Sequence, residues 1–226
     1  MAQKRKYESA RQLERQSHII ETARRLLEEE GYEGMTMRGL AKQAGVAQGT
    51  LYNLYSSKDE LVLAAINYVL EELGEKAVAM VDGKHGLEAV LALTEVTGEQ
   101  VQATPNYADA MTRTLFRGQQ DDPLVDVLFA RSYPLVLAHL KYAQQQDEIV
   151  PGTDLDMLAR HLVGQGWGVM MLWLMGMVVT ADVVTERLRS ELMTLIGVTQ
   201  GPAQERLRQR LAELPAGAPL AQRQVS

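Results

Sequence analysis

Read for the spacing of its apolar positions, the chain shows helical periodicity from near its start to about residue 200, and no alternating run of the kind that makes a half-buried strand. Ile19, Ala23, Leu26 and Leu27 form the stripe of a first helix over about 15–30, which Gly31 ends. Met37, Leu40, Ala41 and Ala44 recur at the same spacing behind Thr36, a residue suited to capping a helix start. Gly45 provides a turn, because glycine takes φ > 0 without a Cβ clash. In the short pattern that follows, Val46 and Leu51 face inward and leave Gln48, Thr50, Tyr52 and Asn53 on the outer face. Ser57 to Glu60 reads as a capping box opening a longer helix to about residue 81. Val62, Ile66, Val69, Leu73, Ala77 and Met80 make its stripe, and Gly83 stops it.

Further helices are expected over 86–103, 106–118, 123–146, 155–180 and 182–196, with breaks at Pro105, at Asp121-Asp122-Pro123 and at Val150-Pro151-Gly152. Asp121 and Asp122 fit turn and N-cap positions better than an acid/base pair. Pro134 falls inside its helical pattern and should kink it, since it withholds a donor from the Ala130 carbonyl. Beyond Gly201 a last polar helix is expected, then a disordered tail from Pro215.

The stretch 162–181 contains 20 residues without a charge, long enough to span a bilayer as a helix. Gly164, Gln165, Gly166 and Gly168 dilute it, and no basic cluster flanks one side to set an orientation. The alternative is a soluble helix buried all round. At 100° per residue Trp167, Met171, Leu174 and Val178 share one stripe, while Gly164, Gly168 and Met175 make an adjoining one that permits close helix approach.

Charge sharpens the picture near the start of the chain. The net charge is −6, yet the only charged residues from Met35 to Lys58 are Arg38, Lys42 and Lys58. A local cationic surface on an acidic protein suits contact with phosphate. Two short helices about a glycine, the second presenting polar side chains, have the layout of a helix-turn-helix, whose second helix enters the DNA major groove. The basic residues Lys4, Arg5, Lys6 and Arg11 fit a flexible arm able to reach phosphates, or simply a solvated tail. No apolar core follows them, which argues against a secretory signal. With no cysteine there is no disulfide framework or thiolate metal site, which suits the cytoplasm.

From His18 onward, HIIETARRLLEEEGYEGMTMRGLAKQAGVAQGTLYNLYSSKDEL resembles the DNA-binding domain of TetR-family transcriptional regulators over roughly residues 15–65. The linked features are GYEGMTMRGLA, the AGV turn, GTLY and SKDEL. The remaining chain matches that family only in length and helical character. Ala47 departs from the family's usual serine or threonine cap, and Leu54 stands where an aromatic or histidine often approaches phosphate. The resemblance implies a dimeric one-component regulator, most simply a repressor. It would read a palindromic double-stranded operator and release it on binding a small, largely apolar effector.

On that basis the expected DNA-contacting residues are Thr36, Arg38, Gln48, Gly49, Thr50, Tyr52, Asn53 and Lys58. Expected effector contacts are Tyr107, Met111, Phe129, Tyr133, Trp167, Met170, Met171 and Leu174, with Gln165 a further polar anchor. Methionines adapt to irregular apolar shapes, which favours them in such a lining. The expected dimer interface lies on the last two long helices through Gly164, Gly168, Leu188, Leu192 and Leu195.

The expected architecture is all-α. It comprises a basic arm over 1–14, a three-helix helix-turn-helix domain over 15–61 whose connecting helix continues to about 82, an effector and dimerisation domain over 62–200, and a final helix and tail over 201–226. No cofactor or metal is expected. Glu28, Glu29 and Glu30 lie beside no histidine or nucleophile, and His18, His85, His139 and His161 are scattered without a zinc-protease spacing. The sequence does not read as an enzyme, though an all-α enzyme with dispersed catalytic residues, or a protein anchored through 162–181, stays open as an alternative.

Overall fold

The structure, a computed structural model, describes residues 2–117 and 123–216, with side chains described except at 2–11, 70–78, 80, 117, 123–125, 127 and 128. Its regular elements there are ten α-helices and a 3₁₀ turn, and the only strand-like pairing among the described residues is a single bridge between Ile149 and Thr199. The expected all-α class holds. Two compact units divide the chain: residues 1–72 with 104–117, and residues 73–103 with 118–226. The segment 104–117, expected in the effector domain, thus packs with the N-terminal unit.

In the first unit, α1 runs Ala2–Gly34, interrupted at Gly31 by a left-handed φ of 69°. Its backbone is helical through residues expected to form a flexible arm; the side chains of Lys4, Arg5, Lys6 and Arg11 lie outside the described residues. Helix α2 (Met37–Gln43), α3 (Gln48–Leu54), the first part of α4 (Lys58–Met80) and α6 (Pro105–Arg117) complete the unit. Ile19, Leu26, Leu27, Met35, Leu40, Leu51, Leu61 and Ile66 are fully buried and form its core. Each contributes roughly 1.5–3 kcal/mol by leaving water. Leu73, Ala77 and Met80 of the expected α4 stripe lie outside the described side chains. On α1, Arg24 pairs with Glu21 and Glu28 (2.6 and 2.5 Å) and Arg25 with Glu29 (3.0 Å), so these three glutamates belong to surface ion pairs. Asn106 Nδ2 donates to the Glu28 carbonyl at 2.8 Å and ties α6 to α1.

The second unit is built on α5 (Gly86–Ala103), α7 (Pro123–Gln145), α8 (Leu155–Leu174), α9 (Val183–Ile196) and α10 (Gly201–Glu213). Its core gathers Leu91, Leu140, Ala143, Ile149, Ala159, Leu192 and Leu195 among others. Helices α5 and α9 approach closely at Gly98, where a Cβ would come within 3.0 Å of Val184 Cγ2. Helix α7 runs through Pro134, whose side chain is exposed. Asp121 and Asp122 lie outside the described residues, as does the tail beyond residue 216.

The largest difference from expectation is the end of α8, at Leu174 rather than 180. Gly176 adopts φ 72°, its N–H donates to the Trp173 carbonyl at 2.9 Å, and the Met177 N–H donates to the Leu172 carbonyl at 2.8 Å. This is a Schellman closure, and glycine is the residue that permits it. It divides the charge-free stretch, removes Val178 from the helical stripe and makes Met175 the C-cap. Among the described residues no helix is long and apolar enough to cross a membrane.

Candidate nucleic-acid interface and effector region

The helix-turn-helix follows from local chemistry. Thr36 caps α2, its hydroxyl accepting from the Gly39 N–H at 3.1 Å. Gly45 sits at φ 65°, and the Val46 N–H donates to the Ala41 carbonyl at 3.0 Å, turning the chain toward α3. Ala47 occupies the cap of α3 in extended conformation and supplies no side-chain acceptor. Leu51 is fully buried and seats α3 on the core, with Tyr55 buried just beyond it. Gln48, Gly49, Tyr52 and Asn53 are exposed and Thr50 half-exposed, so one face of α3 presents polar groups outward. Tyr52, at 47% exposure, is a large ring left in solvent.

The capping box is observed in altered form. The Glu60 N–H donates to Ser57 Oγ at 3.1 Å, but the Glu60 carboxylate accepts from the Ser56 N–H and hydroxyl, at 2.7 and 2.5 Å, instead of from the N-cap itself. Those bonds hold the Glu60 carboxyl below the usual carboxylate range. Arg38 and Lys42 are exposed and make no ion pair among the described residues. Lys58 is different: its Nζ lies 4.0 Å from the centre of the Tyr32 ring, and the Tyr32 hydroxyl donates to Asp59. Sequence reasoning missed this Tyr32–Lys58–Asp59 cluster, because the three residues meet across 27 positions of chain.

The expected effector residues fall into different settings. Tyr107, in the first unit, is buried with its hydroxyl donating to the Ile66 carbonyl at 3.2 Å, and burial pushes its ionisation well up. It is a satisfied core residue, not an open anchor. Met111, one turn along α6, is half-buried. In the second unit Phe129 stacks on Tyr133 with ring centroids 5.0 Å apart and meets Trp167 edge-on at 6.3 Å. Tyr133 donates to the Asp156 carboxylate, which raises its ionisation, and Gln165 Nε2 donates to Thr194 Oγ1 at 2.5 Å. Met170 is buried, and Met171 and Leu174 are half-buried.

Comparison with known proteins bears on the N-terminal domain first. Residues 19–65 match the profile of the bacterial regulatory proteins of the tetR family. The HTH-type transcriptional repressor KstR of Rhodococcus jostii (strain RHA1) is 32% identical over 130 residues, covering 54% of this chain. The chain spans 60% of that relative's length. Residues 19–65 therefore form a tetR-family regulatory domain.

Two solved structures share its fold. The transcriptional regulator FadR of Bacillus subtilis, in complex with stearoyl-CoA, has TM-score 0.66 and 20% identity over 80% of this chain and 98% of that one. FadR of Thermus thermophilus, a TetR-family repressor in complex with lauroyl-CoA, has TM-score 0.64 and 22% identity over 83% and 98%.

In the second unit the expected dimer residues divide. Leu188, Leu192 and Leu195 are 4%, 0% and 0% exposed and belong to the chain's own core, so the leucine edge is not available to a partner. Their spacing recorded burial correctly but not against what. Gly164 and Gly168 are exposed, with no atom within 4 Å of the position a Cβ would take. Exposed Leu172, Met175 and Met193 lie on the same two helices or at their ends.

Also missed was a polar cluster inside the unit. Glu191 of α9 is 6% exposed, hydrogen-bonded to Thr94, and pushed up to about 7 by burial. Arg187, one turn earlier, lies against Gly166, whose Cβ would sit 3.2 Å from its Nη2, and burial pulls its ionisation down. Glu191 Oε2, Arg187 Nε and Gln165 Oε1 are all sealed without a hydrogen-bond partner among the described residues.

Proposed function

We propose that the chain is a dimeric one-component regulator that represses by binding a palindromic operator and releases it when a small, largely apolar effector binds. The observation that carries the DNA reading is the outward polar face of α3, seated on the core by Leu51 and flanked by the exposed cations Arg38 and Lys42. A helix so placed fits the major groove, with Gln48, Gly49, Thr50, Tyr52 and Asn53 at base edges and Thr36, Arg38 and Lys58 toward the backbone. A twofold dimer presents two such helices, hence an inverted repeat.

A second copy would dock on α8 and α9; what supports this is that Gly164 and Gly168 permit close helix approach and that Leu172, Met175 and Met193 expose apolar surface. The effector is assigned an apolar body that meets Phe129, Trp167, Met170, Met171 and Leu174, with Tyr133 as a polar contact. Acyl-CoA thioesters, held by the two FadR proteins of like fold, are the first compounds to try. Binding to one of two conformations with lower operator affinity is sufficient for release. A cytoplasmic location follows from that role.

The test is selection of bound fragments from the source organism's DNA, followed by anisotropy on the recovered sites with lauroyl-CoA and stearoyl-CoA added. Inverted repeats bound by two chains and released by an acyl-CoA support the reading. Binding without symmetry, or by a monomer, overturns the dimer. A recovered site that neither thioester releases overturns the acyl-CoA choice alone.

A further inference from the structure

The second unit carries a cleft apart from the Phe129–Tyr133–Trp167 cluster, with none of those rings in its lining. Its volume is about 720 Å³, within the range of roughly 300–1,000 Å³ usual for small-molecule sites. The floor is apolar, made by Leu87 and Leu91 of α5 and by Ala203 and Leu207 of α10. One wall is aromatic: the His85 and Tyr142 rings lie 5.2 Å apart at 37°. Gly86, at φ 59°, brings the start of α5 onto that wall, where its Cβ would be only 3.3 Å from Tyr142 Cδ1.

The cleft is a built feature. Helix α10 is docked through buried Ala203 and Leu207, and its approach is fixed by the Val150 N–H to Val198 carbonyl and Gln200 N–H to Glu148 carbonyl bonds, both 2.9 Å. Gln204 Nε2 closes the end of α9 on the Ile196 and Thr199 carbonyls at 2.9 and 2.8 Å. Asp147, at φ 57°, reverses the chain so that both Gln146 and Glu148 line the cleft.

Charge selects the class of ligand. Both arginines of the lining are already engaged, Arg206 with Glu148 at 2.6 Å and Arg210 with Glu95. Glu88 is exposed in the same lining and has no partner among the described residues. An anionic ligand must compete with two carboxylates for its cations. A cation meets an uncommitted carboxylate and the face of a half-open tyrosine, both of which attract it.

We infer that this cleft between α5, the end of α7 and α10 binds an organic cation with an apolar body, its ammonium held between Glu88 and Tyr142 and its hydrocarbon on Leu87, Leu91 and Leu207. The inference does not rest on the operator or on the effector proposed above, because binding is read directly without DNA.

The full-length protein is titrated at pH 8, where an ordinary imidazole is neutral, with trimethyl(2-phenylethyl)ammonium and separately with 4-phenylbutanoate. Chemical shifts of the ligand protons report saturation. Saturable binding of the cation is expected, with the carboxylate much weaker. Glu88→Gln, at an exposed position, should weaken the cation about fivefold, and Tyr142→Leu should weaken it by a similar, roughly two- to fivefold, factor. Carboxylate binding as tight as the cation would make the arginines the recognition groups and overturn the assignment. So would unchanged cation affinity in Glu88→Gln, or no saturable cation binding at all.

Discussion

The helix pair α2–α3 and the helix pair α8–α9 dispose their polar and apolar groups in opposite ways. In α2–α3 the apolar side chains Met37, Leu40, Ala41 and Leu51 are buried, while Arg38, Gln48, Tyr52 and Asn53 face solvent. In α8–α9 an arginine and a glutamate are drawn inside beside Gln165, while Leu172, Met175 and Met193 stand 41–62% exposed. A surface of the first kind is already complete in water and offers hydrogen-bonding groups to a polar partner. A surface of the second kind forgoes hydration of charge on one side and burial of hydrocarbon on the other. That pattern is expected where further apolar surface covers the outside.

The sharpest way to break this contrast is to compare a core position of α9 with an open position of α8. Leu192→Glu places a carboxylate at a fully buried site, losing the roughly 2–5 kcal/mol of a large-to-small core change and adding an unpaired buried charge. Loss of a cooperative thermal transition is expected by circular dichroism. At Gly168 a Cβ would meet nothing within 4 Å and the position is exposed, so Gly168→Arg should keep its helical circular dichroism while sedimentation shifts from dimer to monomer. A folded Leu192→Glu protein would remove Leu192 from the core, and a dimeric Gly168→Arg protein would take the interface off α8.

The buried glutamate gives a pH signature of its own. Burial raises the Glu191 carboxyl from 4.5 to about 7, so the folded state binds its proton more tightly than the unfolded state. Stability should therefore fall as pH rises between those values and level off above 7. The contribution is at most about 3 kcal/mol for a shift of this size. In Glu191→Gln that slope is absent: urea midpoints of the two proteins should differ between pH 5 and pH 8, with glutamine gaining relative to wild type at the higher pH. Parallel profiles would mean that Arg187 neutralises the carboxylate throughout.

These particular residues also explain what could be read from the sequence. The helices α2 to α5 were legible because short-range rules decide them: Thr36 caps within three residues, Gly45 and Gly83 turn alone, and Leu51 has an apolar neighbour one helix away. The outward face of α3 came with them. Residues 175–180 were misread because an apolar run hides its own stop, and Gly176 acts through a left-handed angle that composition does not display. Leu188, Leu192 and Leu195 were placed on a partner because periodicity reveals that a face is buried without naming what buries it. The Tyr32–Lys58–Asp59 and Thr94–Arg187–Glu191 clusters and the α5–α10 cleft bring distant residues together, and only the packed chain creates them.

A smaller effect sharpens the picture of the polar pair. Helix α3 starts at Ala47, whose backbone is already extended at φ −66°, ψ 142° but whose side chain accepts nothing. Ala47→Ser supplies the missing acceptor at an exposed position and should stabilise the protein by about 1 kcal/mol. Denaturant midpoints at constant slope measure it. No gain would mean that the first amides of α3 are already well satisfied by water.

The smallest expected difference separates two cations assigned to the same task. Arg38 is exposed and uncommitted among the described residues, whereas the Lys58 ammonium rests 4.0 Å from the Tyr32 ring centre, beside the Asp59 that this tyrosine engages. A cation fully available to one phosphate contributes about 0.9 to the slope of log binding constant against log salt. Arg38→Ala should reduce the slope by about that amount. Lys58→Ala should reduce it by less, because its ammonium is held on the Tyr32 ring in the free protein. Both losses should be similar on strong and weak operators, since phosphate contacts carry little sequence information. Tyr32→Leu tests the cause: without the ring and its hydroxyl, Lys58 should contribute to the slope as Arg38 does. Equal slopes for Arg38→Ala and Lys58→Ala would instead mean that Lys58 leaves Tyr32 to reach DNA, and a sequence-selective loss at Lys58 would place it at a base edge.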